Sequence, residues 1–371
     1  MRVQITDPPA YTPPYDRALC AALARAGAEV ELVTSRFAYG EVPAPDGYVV
    51  RERFYRRSVG APASRLRRLT KLAAHGPEML AYRRVVCAAQ VDIVHFQWLT
   101  LPWLDGVLLP DRPLVLTAHD LLPREPRPGQ VGAQRRLLAR MDALVVHSRH
   151  GRDRLVAQAG VAPEKVTVIP HGAFTDLAAL TPAPLAPELA AVRAPVVLFF
   201  GLLRPYKGLE TLLAAWRRMT GAELWIAGRP RMDLAPLRRM AGPSVRFIPR
   251  FVPDAELAAL FHRADVVVLP YARTERFDQS GVLATALAFG RATVLTDIGG
   301  FGEVAATGAA RLVAPGDPVA LGDALAELIG DDAVRDALGA AARAAAAGPY
   351  SWDEAARRTL ALYARLVGGR G

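Results

Sequence analysis

Lysine is almost missing from this chain. Of 46 basic residues in 371, only Lys71, Lys165 and Lys207 are lysine and the rest are arginine. Cysteine is as scarce: Cys20 and Cys87 sit in helix-like apolar stretches without metal-ligand spacing. That argues against a disulfide framework or a zinc site and suits a reducing cytoplasm. Long hydrophobic runs are absent too. Val196 to Leu203 stops after eight residues at Arg204, far short of the roughly eighteen that span a bilayer. The opening MRVQITD reads as a strand rather than a secretory leader. No G-x-G-x-x-G follows that strand, which removes support for a nicotinamide or flavin site, and no P-loop signature occurs. Asp-x-Asp is missing as well, so a metal-held diphosphate is not indicated. Neither a cofactor nor a metal is expected.

What is present is globular. Hydrophobic residues make up 51% and charged residues 22%, and the length exceeds one ordinary core and suits two domains. The net charge of +10 follows an arginine- and alanine-rich composition, and no nucleic-acid partner is expected from it. One local excess needs its own account: between Arg51 and Arg84 lie ten basic residues against Glu52 and Glu78. Leu66, Leu69, Leu72 and Ala73 share a helical face there, with Arg67, Arg68 and Lys71 close by. Two readings stay open, a solvated arginine-rich helix or peripheral contact of 51–84 with anionic lipid heads at the inner membrane face.

Short apolar runs alternate with helical patterns. Strands are expected at 1–6, 29–34, 92–97, 113–119, 142–147 and 165–169, then at 195–200, 222–227, 244–248, 265–269, 291–296 and 310–314. Helices are expected at 14–26, 64–90, 148–158, 208–219, 254–263, 281–290 and 317–346. Uninterrupted apolar strands such as Val266 to Leu269 suit parallel sheets buried on both faces. This alternation implies two doubly wound, Rossmann-like α/β domains. Four prolines in TPAPLAPELAAVRAP, 181–195, mark the break. The first domain is expected at 1–182 and the second at 183–350, with 351–371 packing back on the first.

Two segments carry chemistry. In FFGLLRPYKGL, 199–209, a buried strand ends at Gly201 and its loop presents Arg204 and Lys207. Ligands of α/β sheets bind at the carboxyl ends of strands. A guanidinium and an ammonium there make a diphosphate clamp, or else two solvated cations. In DQSGVLATALAFG, 278–290, polar Gln279 and Ser280 precede Gly281 at the start of an apolar helix. Its amides and dipole suit an anion, or Ser280 serves only as an N-cap. In the first half His119-Asp120 ends a strand, and His119 is either a sugar contact or a structural histidine. Thr12-Pro13-Pro14-Tyr15-Asp16 reads as a bent loop at the end of the first strand. Pro14, Tyr15 and Asp120 are the further candidates at these strand ends.

With these pieces in order, the chain resembles the retaining GT-B glycosyltransferases of family 4. The likeness rests on His119-Asp120, on Val168-Ile169-Pro170-His171-Gly172, and on Gly201, Arg204 and Lys207-Gly208. It continues through Ala227-Gly228, Ala288-Phe289-Gly290, Thr296-Asp297-Ile298-Gly299-Gly300 with Glu303, and Ser351-Trp352. The resemblance implies two domains facing across a cleft, and a nucleotide-diphosphate sugar as donor. The acceptor would be a small molecule, a lipid-linked group or a glycan. It further implies that Arg204 and Lys207 bind the diphosphate with the amides of Gly281 and Val282, that Gly228, Arg229 and 248–253 flank the base, and that His119 lies near the sugar. Two departures stand out. Pro13-Pro14-Tyr15 replaces a glycine-rich loop, and Phe277 and Thr285 occupy the places of the family's two glutamates. Glu275, Asp278 or Gln279 are the candidate substitutes. An epimerase of the same fold, or a nucleotide-sugar-binding protein with weakened catalysis, are the alternatives.

Overall fold

A computed structural model describes every residue except 39, 41, 62–63, 122–127, 274–278 and 370–371. Its strands are all parallel and fall into two sheets. The first holds β1 (Arg2–Asp7), β2 (Glu29–Ser35), β3 (Val49–Phe54), β4 (Ile93–Phe96), β5 (Leu114–Thr117), β6 (Ala143–Val146) and β7 (Val166–Val168), in the order β3-β2-β1-β4-β5-β6-β7. The second holds β8 (Val196–Phe200), β9 (Glu223–Ala227), β10 (Val245–Ile248), β11 (Val266–Leu269), β12 (Ala292–Thr296) and β13 (Arg311–Val313), in the order β10-β9-β8-β11-β12-β13. Central strands such as β4 (IVHF) and β11 (VVVL) are buried throughout, as strands covered on both faces must be.

Strand β3 departs from the expectation. Val49–Phe54 reads VVRERF and is mostly exposed, because it is the edge of its sheet and its charged residues face water. Charge hid it from a search for apolar runs. Residues 317–346, expected as one helix, form two: Pro318–Gly330 and Asp332–Ala347. Asp331 separates them, its side chain accepting the amide hydrogen of Val334 at the start of the second.

The chain divides into one unit of Met1–Gly172 with Trp352–Gly371, and another of Ala173–Ser351. The crossing thus lies ten residues before the expected 182/183 boundary. Ala173 N donates to Tyr350 O at 2.7 Å and Ala183 N to Ala255 O at 2.9 Å, so the proline-rich stretch is laced onto the second unit. In the first unit the helix Trp352–Gly368 packs on the helix Pro13–Arg25. Tyr363 Oη lies 2.6 Å from His95 Nδ1. A Cβ on Gly172 would come within 2.3 Å of the Trp352 ring, which requires glycine there.

The helix Arg65–Ala88 buries His75, Met79, Tyr82 and Val86 along one side. Its opposite side leaves Leu66, Leu69 and Leu72 exposed, by 54%, 64% and 56%. Among the described residues no helix is long and apolar enough to cross a membrane.

Candidate functional site

Strand order in the second sheet reverses between β8 and β11, and open parallel sheets bind ligands at the carboxyl ends of strands beside such a reversal. Here the backbone is drawn very close. Gly228 follows β9 at φ +137°, and a Cβ on it would lie 1.9 Å from Gly201 O. Gly208 has φ +71°, and its Cβ would lie 1.8 Å from Pro270 O. Only glycine fits either position. The loops after β8 and β9 are stitched by Leu203 N to Arg229 O at 3.0 Å and Arg231 N to Leu203 O at 2.9 Å, which pairs Leu203 with Pro230; Arg204 and Arg229, next to that pair in each loop, are half-buried.

Lys207 is buried at this junction. Its Nζ lies 3.7 Å from the Tyr271 ring centroid and donates to Tyr271 Oη. Tyr271 Oη in turn is 3.0 Å from Ser280 Oγ. An ammonium only donates, so Tyr271 accepts from Lys207, and either hydroxyl can donate in the bond between Tyr271 and Ser280. Ser280 stands at the N-cap position of the helix Gly281–Ala288, yet its hydroxyl caps nothing there. Among the described residues no side chain caps the first amides of that helix, and such amides suit an anion. Sequence reasoning singled out Lys207 and Ser280 but not Tyr271, which joins them.

Other second-unit candidates are placed less directly. Gln279 is half-buried and its Oε1 accepts from Ser280 N at 3.1 Å. Val282 is half-buried, with a methyl that a Cβ on Gly201 would approach to 3.2 Å, and Gly281 is exposed. The Thr285 hydroxyl is turned inward, donating to Gly281 O at 2.9 Å, so it is not presented as a stand-in for a carboxylate. Glu275, Phe277 and Asp278 lie outside the described residues.

In the first unit, four adjacent strands β4 to β7 each carry a histidine at or shortly beyond their carboxyl end: His95 within β4, and His119, His147 and His171 after β5, β6 and β7. Burial lowers His95 to about 3, His147 to about 4 and His171 to about 3, and His119 well below its ordinary value. All four are neutral near pH 7. His119 Nε2 lies 3.0 Å from Gln97 Oε1, and its Nδ1 lies 3.3 Å from His147 Nε2. Both of its ring nitrogens thus have protein partners. The loop expected around Tyr15 is corrected. Pro13 and Pro14 open the helix Pro13–Arg25 rather than a loop. Tyr15 is buried with His119, His147, His171 and Trp352 around its ring, at centroid distances of 4.7 to 5.4 Å. Pro14 remains exposed and Asp120 is half-buried.

Beside them Asp7 and Asp16 are both buried. Burial raises Asp7, and burial with the charge of Asp7 holds Asp16 well above the usual carboxylate range. Both carboxyls are thereby biased toward the protonated form. Nothing in the sequence pairs them, since they lie on a strand end and a helix start. Among the described residues no cluster of His, Cys, Asp or Glu is arranged to hold a metal.

Residues 194–331 match the family described as Glycosyl transferases group 1, and 17–177 match Glycosyltransferase Family 4. The chain is 31% identical to D-inositol 3-phosphate glycosyltransferase of Xylanimonas cellulosilytica, across 94% of this chain and 90% of that protein. Identity to the protein of the same name from Kineococcus radiotolerans is 30%, across 95% and 89%. Among solved structures, sucrose-phosphate synthase of Thermosynechococcus elongatus has a TM-score of 0.77 at 20% identity, covering 100% of both chains. Anabaena HepE, solved with UDP and glucose, has a TM-score of 0.74 at 18% identity, covering 98% of this chain and 100% of that one. What these structures share with the chain is the fold, two Rossmann-like domains of GT-B type.

Proposed function

The chain belongs to the family 4 glycosyltransferases, the glycosyl transferases group 1, and we propose that it moves a sugar from a nucleoside diphosphate sugar to a hydroxylated acceptor, with retention and without a metal ion. The observation that carries this reading is the Lys207–Tyr271–Ser280 relay beside an uncapped helix start. In the reaction the bond from the anomeric carbon to the diphosphate oxygen breaks. The acceptor oxygen joins the same face, and its proton passes to the departing phosphate. Charge gathering on the diphosphate is met by Lys207, Arg204 and the amides of Gly281 and Val282, groups fixed before the reaction begins. HepE was solved with UDP and glucose, which supports a uridine nucleotide as the first donor to try.

The test uses the whole chain with UDP-glucose and GDP-mannose in EDTA, followed by mass spectrometry and NMR of the released sugar. Transfer or slow hydrolysis with the anomer kept is expected. Charge-assisted bonds contribute about 1.5–3 kcal/mol, so Lys207→Ala should weaken UDP binding roughly 10- to 150-fold. Unchanged affinity by calorimetry removes the reading. Epimerised donor, or binding without turnover, replaces it with the epimerase or the binding protein.

The same reading places the enzyme in the cytoplasm with the helix Arg65–Ala88 against an anionic membrane face. Exposed Leu66, Leu69 and Leu72 beside Arg65 and Arg68 support it, since apolar side chains among arginines suit lipid edges and anionic headgroups. Wild type should pellet with phosphatidylglycerol vesicles at moderate salt, and Leu69→Glu should pellet less. Wild type left in the supernatant ends the membrane reading.

A further inference from the structure

The first sheet has its own reversal of strand order, between β1 and β4, and the chemistry there differs in kind from that of the second. After β1 the chain reads Pro8-Pro9-Ala10-Tyr11-Thr12, and after β4 Gln97-Trp98. Tyr11 is 65% exposed. Its ring centroid lies 5.1 Å from that of half-buried Trp98, and Trp98 stacks on His119 at 5.2 Å and 16°. A lone exposed tyrosine on a loop would mean little. This one is held from several sides. Asp7 Oδ2 accepts from Tyr11 N at 2.6 Å and Thr12 N at 3.2 Å, and Ala10 N donates to Asp7 O at 3.1 Å. Ala10 is kept at φ +53°, a conformation that alanine rarely adopts. Thr12 Oγ1 accepts from Trp98 Nε1 at 2.9 Å and donates to Asp16 Oδ1 at 3.3 Å. The buried acid pair, which the transfer chemistry does not use, is the anchor of this loop.

Gln97 supplies the second, independent sign. It is buried, its Oε1 faces His119, and its Nε2 has no partner among the described residues. Turning the amide over moves the orphan from nitrogen to oxygen without removing it. A buried amide atom without a partner is costly unless a ligand or water supplies one.

We propose that Tyr11 and Trp98 form a stacking platform for the hydroxylated ring of the acceptor, a sugar or a cyclitol, with the Gln97 amide as a hydrogen-bond partner for its hydroxyls. The C–H faces of such a ring match aromatic π faces, and its hydroxyls can both donate to and accept from an amide. The word acceptor rests on the transfer reading above; the platform does not.

Saturation-transfer NMR of the whole chain, with methyl α-D-glucopyranoside and myo-inositol as probes, tests the platform without turnover. Wild type should pass saturation to the axial ring protons of at least one probe. Tyr11→Ala, at an exposed position, should lower its affinity about 3- to 10-fold, as a lost aromatic contact implies, and Trp98→Phe should lower it less. Both variants should bind UDP as wild type does. The proposal is overturned if wild type shows no transfer to either probe at millimolar concentration, if Tyr11→Ala transfers equally, or if UDP affinity falls in step with probe affinity. Should UDP fail to bind wild type while the probes still do, the donor reading falls and the platform stands.

Discussion

The two units share a plan and differ in material. Each is a parallel sheet with one reversal of strand order, and each gathers distinctive residues at that reversal. Among the described residues the second unit buries Lys207, Ser280, Thr285, Thr293 and Thr296, besides tyrosine and tryptophan side chains such as Tyr271. Lys207 is the sole charged one. The first unit buries Asp7 and Asp16, the histidines 75, 95, 147 and 171, Gln4, Gln97, Asp105 and several hydroxyls. Many of these are joined: Tyr55 Oη to His75 Nδ1 at 2.6 Å, His75 Nε2 to Asp105 Oδ1 at 2.6 Å, and Tyr82 Oη to Gln4 Oε1 at 3.0 Å. An apolar frame around one cation makes that cation's field strong and its position fixed. A frame built of linked polar groups ties the unit's stability to protonation.

Acid should therefore separate the units most. The strand-end histidines have folded pKa values below the unfolded value of about 6.5, at about 3 for His95, 4 for His147 and 3 for His171, with His119 also lowered. Between those values the unfolded chain binds more protons. Stability is thus whole above about pH 6.5 and is lost as pH falls, by about 1.4 kcal/mol per pH unit for each unmatched proton. Asp7 and Asp16 act in the opposite sense, because their raised pKa values make the folded state bind protons more tightly. Four histidines outnumber two carboxyls, so the net effect of acid on the first unit is a loss of stability. Thermal unfolding followed by tryptophan fluorescence from pH 8 to 4.5 should show the first unit melting earlier as pH falls. Parallel behaviour of the two units would erase the contrast.

A pair of tyrosine hydroxyls sharpens it. Tyr271→Phe removes the hydroxyl that Lys207 and Ser280 share, and an indirect loss of positioning of about 1–1.5 kcal/mol should weaken UDP binding about 5- to 12-fold. Tyr82→Phe removes a hydroxyl bonded to Thr6 and Gln4. It should cost about 1–2 kcal/mol of stability and leave UDP affinity unchanged. Calorimetry and denaturant unfolding on the two variants would show whether site and scaffold divide between the units in this way.

The smallest effect concerns the last helix. Arg25 and Asp353 pair at 2.8 Å with side chains 52% and 77% exposed, so Arg25→Ala should cost less than about 0.5 kcal/mol. A larger loss in denaturant unfolding would mean that the surface pair, rather than buried Trp352 and Tyr363, holds the helix in place.

What could be read in advance follows from how local each signal is. Apolar runs and the loop with Gly201, Arg204 and Lys207 announce themselves within ten residues, and most strands lie close to where periodicity puts them. Val49–Phe54 was hidden because an edge strand shows charge where a central one shows valine. The convergence of His119, His147 and His171 on Tyr15 depends on parallel register across separate strands. The Tyr271–Ser280 contact likewise needs the fold, since neither residue type at that spacing signals a pair. Asp7 and Asp16 look like ordinary acids at a strand end and a helix start until burial biases both toward the protonated form.

Gly172 and Trp352 meet where the chain leaves the first unit and where it returns. The second unit is therefore an insertion in a discontinuous first one. On the ribosome Ala173–Ser351 emerges whole and can fold as it appears, whereas residues 1–172 wait for a helix still unmade. Until Trp352 arrives, one neighbour of the Tyr15 ring is missing, and until Tyr363 arrives His95 lacks its hydroxyl partner. The part of the protein made first is the last to be finished.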